Sequence, residues 1–179
     1  MSTLFVPDPS LVLLIGAAGS GKSTLAARLF APDEIVSSDA LRAAISGSEA
    51  DQRASAAAFR ALHRTVERRL AAGAMTVVDA TNARREYRRP LIERAHSTGT
   101  PVLAIVLDLP RSTVQAQNAA RTSRVVDPTV VDRHLAAIRS DIDTGRLATE
   151  GFDHLVMLHS PTEATNLRID RRAPAGTPT

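Results

Sequence analysis

This sequence predicts an α/β fold with a central five-stranded, mostly parallel sheet flanked by helices, on the strength of three observations. Short apolar, β-branched runs alternate with longer segments of helical character along most of the chain. The run "LVLLI" (11–15) is apolar at every position, as a strand covered on both faces must be. It leads directly into "GAAGSGKS" (16–23), which matches G-x-x-x-x-G-K-[ST] between a strand and a helix, the context a P-loop requires.

The elements follow in order. After "LVLLI" and the glycine-rich loop, "TLAARLF" is a helix that must stop before Pro32, because the residue preceding proline is pushed out of the helical region. "EIVSSD" (34–39) reads as the second strand, ending in an acid, and "ALRAAIS" as a helix broken near Gly47. Residues 51–73, "DQRASAAAFRALHRTVERRLAAG", form a long amphipathic helix closed by Gly73. "MTVVDA" (75–80) is the third strand, again acid-terminated; "REYRRPLIERAHSTG" is a helix that Pro90 either bends or starts. "PVLAIVLDL" (101–109) is the fourth strand and "HLVML" (154–158) the fifth, with helices over "RSTVQAQNAART" and "DPTVVDRHLAAIRSDI" between them. Right-handed crossovers join such strands. The expected organisation is one domain over residues 1–170, with a helical lid at about 111–133 and a loose tail at 171–179.

Composition narrows the function. A chain of 179 residues with 44% apolar content supports one core, built mainly from aliphatic side chains since aromatics are only 3%. With no cysteine, disulfides, thiolate zinc sites and cysteine nucleophiles are excluded. The apolar runs are strand-sized, and "MSTLFVPDPS" does not have the form of a signal peptide, so a cytoplasmic protein with no membrane role is expected. The net charge of +3 permits a nucleotide or nucleic-acid substrate without requiring one. Lys22 is the only lysine, and it lies inside the loop motif.

The loop defines the expected nucleotide cradle: Gly19, Ser20, Gly21, Lys22, Ser23 and Thr24. Its backbone N–H groups can wrap a β-phosphate at a helix N-terminus. Lys22 should reach the β- and γ-phosphates and Ser23 should ligate Mg²⁺, which makes ATP or another NTP with Mg²⁺ the expected cofactor pair. The motif alone specifies triphosphate binding. Switch GTPases add N-K-x-D, for which the chain has no second lysine, and helicases or transport ATPases need more sheet than this length offers.

Asp39 and Asp79 end the second and third strands, the sheet edge where open α/β folds carry their ligands. One acid can orient and deprotonate an acceptor hydroxyl while the other, Asp79, holds Mg²⁺ directly or through water. The structural alternatives are an N-cap of the "ALRAAIS" helix for Asp39 and a turn acid bonded to Thr81 or Asn82 for Asp79. Arg42 lies one turn beyond Asp39, placed to hold an acceptor phosphate. Arg121 and Arg124 in "ARTSRVVD" sit where a helix–loop–helix flap would fold over the triphosphate, neutralising the transferring group and excluding water. Asn82, and Arg88 in the basic run "ARREYRR" (83–89), are further candidate substrate contacts, although that run reads equally well as helix surface or phosphate groove.

Together, "GAAGSGKST", "EIVSSDALR", "TVVDATNARREYRRPLI", "VLAIVLDLP", "RTSR" and "EGFDHLVMLHSPTEA" resemble the kinase domain of bacterial polynucleotide kinase-phosphatases of RNA repair, over about residues 10–165. The resemblance implies transfer of the γ-phosphate of ATP to the 5′-hydroxyl of an RNA or DNA end. It implies Asp39 as general base, Arg42 on the substrate phosphate, Lys22 and Ser23 as phosphate and metal ligands, and Arg121 and Arg124 as lid arginines. Two departures stand out. Gln117 occupies a place where the family carries another lid arginine, and the family continues into phosphatase and ligase domains. The chain is therefore expected to be a stand-alone kinase or one module of a repair assembly, with those activities as partner chains or missing domains. Two other readings remain: a P-loop kinase of a small hydroxyl acceptor (nucleoside, sugar or antibiotic), and an NTP-binding regulatory domain without turnover. "HSPTEA" after the fifth strand is the expected base-side loop.

Overall fold

A computed structural model describes residues 3–47, 55–122 and 124–173. Five parallel strands form the central sheet in the order β3 (Ile35–Ser37), β4 (Thr76–Asp79), β2 (Leu11–Ile15), β5 (Val102–Leu107), β6 (His154–Leu158). Every pair in it is parallel, with β2 in the middle between β4 and β5. All five residues of β2 and all six of β5 are buried, so the uniform apolar runs are explained by cover on both faces. Each Val, Leu or Ile among them contributes about 1.5–3 kcal/mol of burial free energy.

Helices α1 (Lys22–Leu29), α2 (Ser38–Ser46), α3 (Ser55–Ala71), α4 (Arg85–Ser97), α5 (Arg111–Ala119), α6 (Pro128–Asp143) and α7 (Pro161–Asn166) flank the sheet. Helix α3 buries Ala58, Leu62, Val66 and Leu70, a four-residue repeat that lays one stripe on the sheet. Residues 51–54 of the long helix expected there lie outside the described residues. Gly47 caps α2 with φ 76°, so the break at that glycine is a left-handed C-cap. Helix α4 runs through Pro90, which does not start it.

Three expectations change. Strand β3 stops at Ser37, whose Oγ accepts the Ala40 N–H at 3.3 Å, so Ser38 and Asp39 open α2 instead of ending the strand. A second sheet, unanticipated, pairs β1 (Thr3–Pro7) with β7 (Arg168–Arg172) in parallel. Arg171 and Arg172 therefore belong to the folded unit and not to the tail; residues 174–179 of that tail lie outside the described residues. Here "RIDRR" carries no apolar run to announce a strand. Its arginines are held laterally, Arg171 on Glu34 at 2.6 Å and over the Phe30 ring at 5.7 Å, Arg172 over Phe5 at 4.1 Å.

The third change concerns Arg88, expected at the substrate. It is fully buried beneath α4. Nη2 reaches Asp141 at 2.6 Å, Nε reaches Glu150 at 2.7 Å, and Nη1 donates to the Asn82 carbonyl at 2.9 Å. A guanidinium so committed ties α4 to α6 and to the segment before β6. Arg88→Ala strips the buried side chain of Glu150 of its cation and leaves Asp141 with Arg146 at 3.2 Å, and is expected to lower the unfolding free energy by about 3–5 kcal/mol. Urea unfolding measures it, and a loss below about 1 kcal/mol would return Arg88 to the surface role.

Candidate active site

The carboxyl ends of β2, β3 and β4 open into a cavity of about 1210 Å³. The P-loop, the start of α2, the β4–α4 turn and the α5–α6 segment line it. Ligand pockets commonly measure about 300–1,000 Å³, so this one has room for a donor and an acceptor side by side.

The loop after β2 is shaped by backbone geometry that only glycine adopts readily. Gly19 has φ 86°, and a Cβ there would lie 2.7 Å from the Asn118 Cβ and 2.8 Å from the Val114 carbonyl oxygen. Glycine thus lets α5 close directly on the loop. Lys22 is buried, and its Nζ donates to the Gly16 and Ala17 carbonyls at 2.9 and 2.8 Å. An ammonium has three donors, so these two bonds leave one for a phosphate oxygen. Burial brings the Lys22 pKa down from 10.5 to about 8, only partly opposed by Asp79. The Ser20 Oγ is buried without a hydrogen-bond partner among the described residues, as suits a hydroxyl facing an anion cradle.

Asp79, at the end of β4, lies beside the Ser23 side chain, and the two line the cavity together. Burial raises its pKa, with Ser23 and Lys22 acting in the opposite direction. Among the described residues no hydrogen bond joins the Asp79 carboxylate to Thr81 or Asn82, and Asn82 donates to the Leu14 carbonyl at 2.8 Å, with φ 46°. A hydroxyl beside one carboxylate fits Mg²⁺, which takes one or two protein oxygens and completes its shell with phosphates and water. Among the described residues no group of three His, Cys, Asp or Glu offers an all-protein metal cage.

Asp39 is not the helix cap, since Ser37 performs that function. Its carboxylate instead meets three guanidiniums: Arg42 from its own helix, Arg124 at 3.0 Å and Arg121 at 3.7 Å from the far side of the cavity. Arg42 is buried, with Nε on the Ser55 Oγ at 3.3 Å. Asp39 thus ties the two lid arginines to the start of α2, and it places their guanidiniums at the cavity with the P-loop, where positive charge suits a transferring phosphoryl group. Burial and the neighbouring Arg42 lower the Arg124 pKa. Its Nε is buried without a hydrogen-bond partner among the described residues.

The structure therefore brings Lys22, Ser23, Asp39, Arg42, Asp79, Asn82, Arg121 and Arg124 to one cavity, with Gly19, Ser20, Gly21 and Thr24 on its floor; Arg88 is not among its lining residues. Asn118, absent from the sequence-based set, positions the lid. Its Nδ2 donates to the Val126 carbonyl at 2.7 Å and its Oδ1 accepts the Val126 N–H at 3.1 Å, stapling the segment that carries Arg124 to α5. Gln117, Arg133 and His134 also line the cavity. Asp127, Val130, Arg133 and His134 share one face of α6 at helical spacing, a signal that could have pointed them toward the site. Burial, then Lys22, brings the His134 pKa down from 6.5 to about 4, so the imidazole is neutral at pH 7. The segment expected to sit beside the base is helix α7, whose Pro161, Ala164 and Thr165 line the cavity.

No curated protein sequence matches the chain. Among solved structures, a chain of the Pnkp1/Rnl/Hen1 RNA repair complex superimposes with TM-score 0.64 at 20% identity, over 78% of this chain and 47% of that one. This protein thus spans about half the length of that relative. A sugar kinase from Janibacter sp. HTCC2649 matches with TM-score 0.58 at 20% identity, over 87% and 90% of the two chains. The Mycobacterium tuberculosis APS kinase CysC in complex with AMPPNP and APS matches with TM-score 0.53 at 14% identity, over 89% and 94%. The fold is shared with kinases that differ in acceptor. No helix among the described residues is long and apolar enough to cross a membrane. A family model for AAA_33, the AAA domain, matches residues 11–144, from β2 into the end of α6, and the protein belongs to that family.

Proposed function

We propose that the protein is a P-loop phosphotransferase that moves the γ-phosphoryl group of ATP, or another NTP, onto the 5′-hydroxyl of an RNA or DNA end. One observation carries the reading: Asp39 stands at the sheet mouth, across the P-loop cavity from Lys22, within reach of the lid arginines Arg121 and Arg124. In this scheme Asp39 orients the acceptor hydroxyl and takes its proton as the oxygen–phosphorus bond forms. The bond from phosphorus to the bridging oxygen breaks, and the nucleoside diphosphate leaves. Bound Mg²⁺, held by Ser23 and Asp79, would neutralise phosphate charge. Arg121 and Arg124 offset charge on the transferring group, and Arg42 meets a phosphate 3′ of the acceptor nucleoside. RNA-repair enzymes acting on the same ends are the expected partners.

A second reading, a kinase of a small hydroxyl acceptor such as a sugar, is favoured by the near-complete mutual overlap with the Janibacter sugar kinase. Labelled γ-phosphate transfer separates the two readings. A 5′-hydroxyl oligonucleotide and a nucleoside 3′-monophosphate should be phosphorylated about 10- to 100-fold faster than the matching nucleoside, the worth of one charge-assisted contact of about 1.5–3 kcal/mol. Equal rates on nucleoside and nucleotide, or transfer to a monosaccharide alone, would support the small-acceptor kinase.

A further inference from the structure

Phe59 and Tyr87 face one cavity wall in a chain with only four Phe, one Tyr and no Trp. Phe30 packs in the core, Phe152 lies against two core clusters, and Phe5 is covered by Arg172. Phe59 and Tyr87 belong to none of these clusters. Their ring centroids lie 5.2 Å apart at 37°, and Tyr87 is 40% exposed. Phe59 is half-buried, which leaves Tyr87 as the more open of the two rings in the cavity wall.

Its position is defined through Arg42. That guanidinium joins Asp39 to Ser55 at the start of α3, and Phe59 follows Ser55 by one helical turn, a rise of about 5.4 Å. Tyr87, from the first turn of α4, completes the wall. Asp39, Arg42, Phe59 and Tyr87 all line the one cavity. In the proposed scheme the triphosphate occupies the P-loop, which leaves the wall tied to Arg42 for the acceptor.

We propose that Phe59 and Tyr87 form an acceptor subsite on which the nucleobase of the terminal nucleoside stacks, with Phe59 backing the Tyr87 ring. This deepens the acceptor assignment above and rests on it. Stacking tolerates any base, because every base presents a π-face. It would make the site selective for nucleosides while leaving it indifferent to sequence.

Two measurements test it. Tyr87→Ala should raise KM about 5- to 150-fold for a 5′-hydroxyl oligonucleotide. KM for ATP and the rate on an oligonucleotide with an abasic 5′ residue should hold, and Tyr87→Phe should restore the wild-type value. Equal losses on base-bearing and abasic acceptors, or no loss, would overturn the subsite. Tyr87→Trp then gives a sole tryptophan that reports occupancy without turnover. Adenosine 3′-monophosphate should quench it and ribose should not; quenching by both, or by neither, overturns the proposal. If the wild type phosphorylates no 5′-hydroxyl end yet adenosine 3′-monophosphate still quenches Trp at position 87, the acceptor assignment fails and the base-stacking subsite stands.

Discussion

Lys22→Ala is expected to lower phosphoryl transfer by about 10²- to 10³-fold or more, the scale for losing one preorganised electrostatic contact to the reacting group. Its two bonds are to loop carbonyls, so the fold should persist and circular dichroism should be unchanged. Retention of half the wild-type rate would remove the P-loop from the chemistry. The same residue predicts a pH dependence. Free Lys22 has its pKa brought down to about 8 by burial. Bound phosphates raise that pKa again, so binding takes up a proton whenever the free amine is neutral. Below pH 8 the amine is already charged and ATP affinity should be flat; above it, affinity should fall by up to about tenfold per pH unit. Without nucleotide, the unfolded chain holds the extra proton between about pH 8 and 10.5, so folding stability from this group rises with pH across that window. Lys22→Arg should flatten the affinity profile, since arginine stays charged throughout. Calorimetric ATP titrations from pH 7 to 9.5 measure it.

Asp39→Asn is expected to cut kcat by about 10²-fold or more, the range for a positioned general base. The substitution keeps size but removes both proton acceptance and the carboxylate that Arg121 and Arg124 pair with. With the lid arginines deprived of that partner, the melting temperature should fall somewhat, while KM for ATP should change little because the cradle is untouched. Ser37→Ala supplies the contrast. It removes the true cap of α2, costing about 1 kcal/mol of stability, and should leave kcat near wild type. A kcat decrease of less than about threefold in Asp39→Asn would make Asp39 only a latch for the lid arginines, and would shift proton acceptance to Asp79.

The P-loop and the central strands were legible in the sequence because each is encoded locally. "LVLLI" and "VLAIVL" must be buried on both faces whatever surrounds them, and the glycines and Lys22 act through backbone geometry and a charge within eight residues. Asp39, Asp79, Arg121 and Arg124 could be named as candidates because acids expected near strand ends, and arginines after a short helix, fall at the sheet edge where open α/β folds carry their ligands. Their mutual arrangement was not encoded locally. That Ser37 caps α2 and frees Asp39 for the arginines depends on where β3 stops, a one- or two-residue matter settled by pairing with β4. Arg88 illustrates the limit most clearly. In the run "RREYRR" it is chemically indistinguishable from its neighbours, and only the partners that tertiary folding brings from 53 and 62 residues away, Asp141 and Glu150, turn it inward. The β1–β7 pair, the Asn118 staple, His134 and the Phe59–Tyr87 wall share that origin. The sequence by itself determined a doubly covered parallel sheet with a phosphate loop and acids at its mouth, since period and local backbone chemistry specify those. Only the tertiary structure decided which arginines face the cavity, which are buried, and what lines the acceptor side, because contacts between distant residues, and not propensities, set the direction of each side chain.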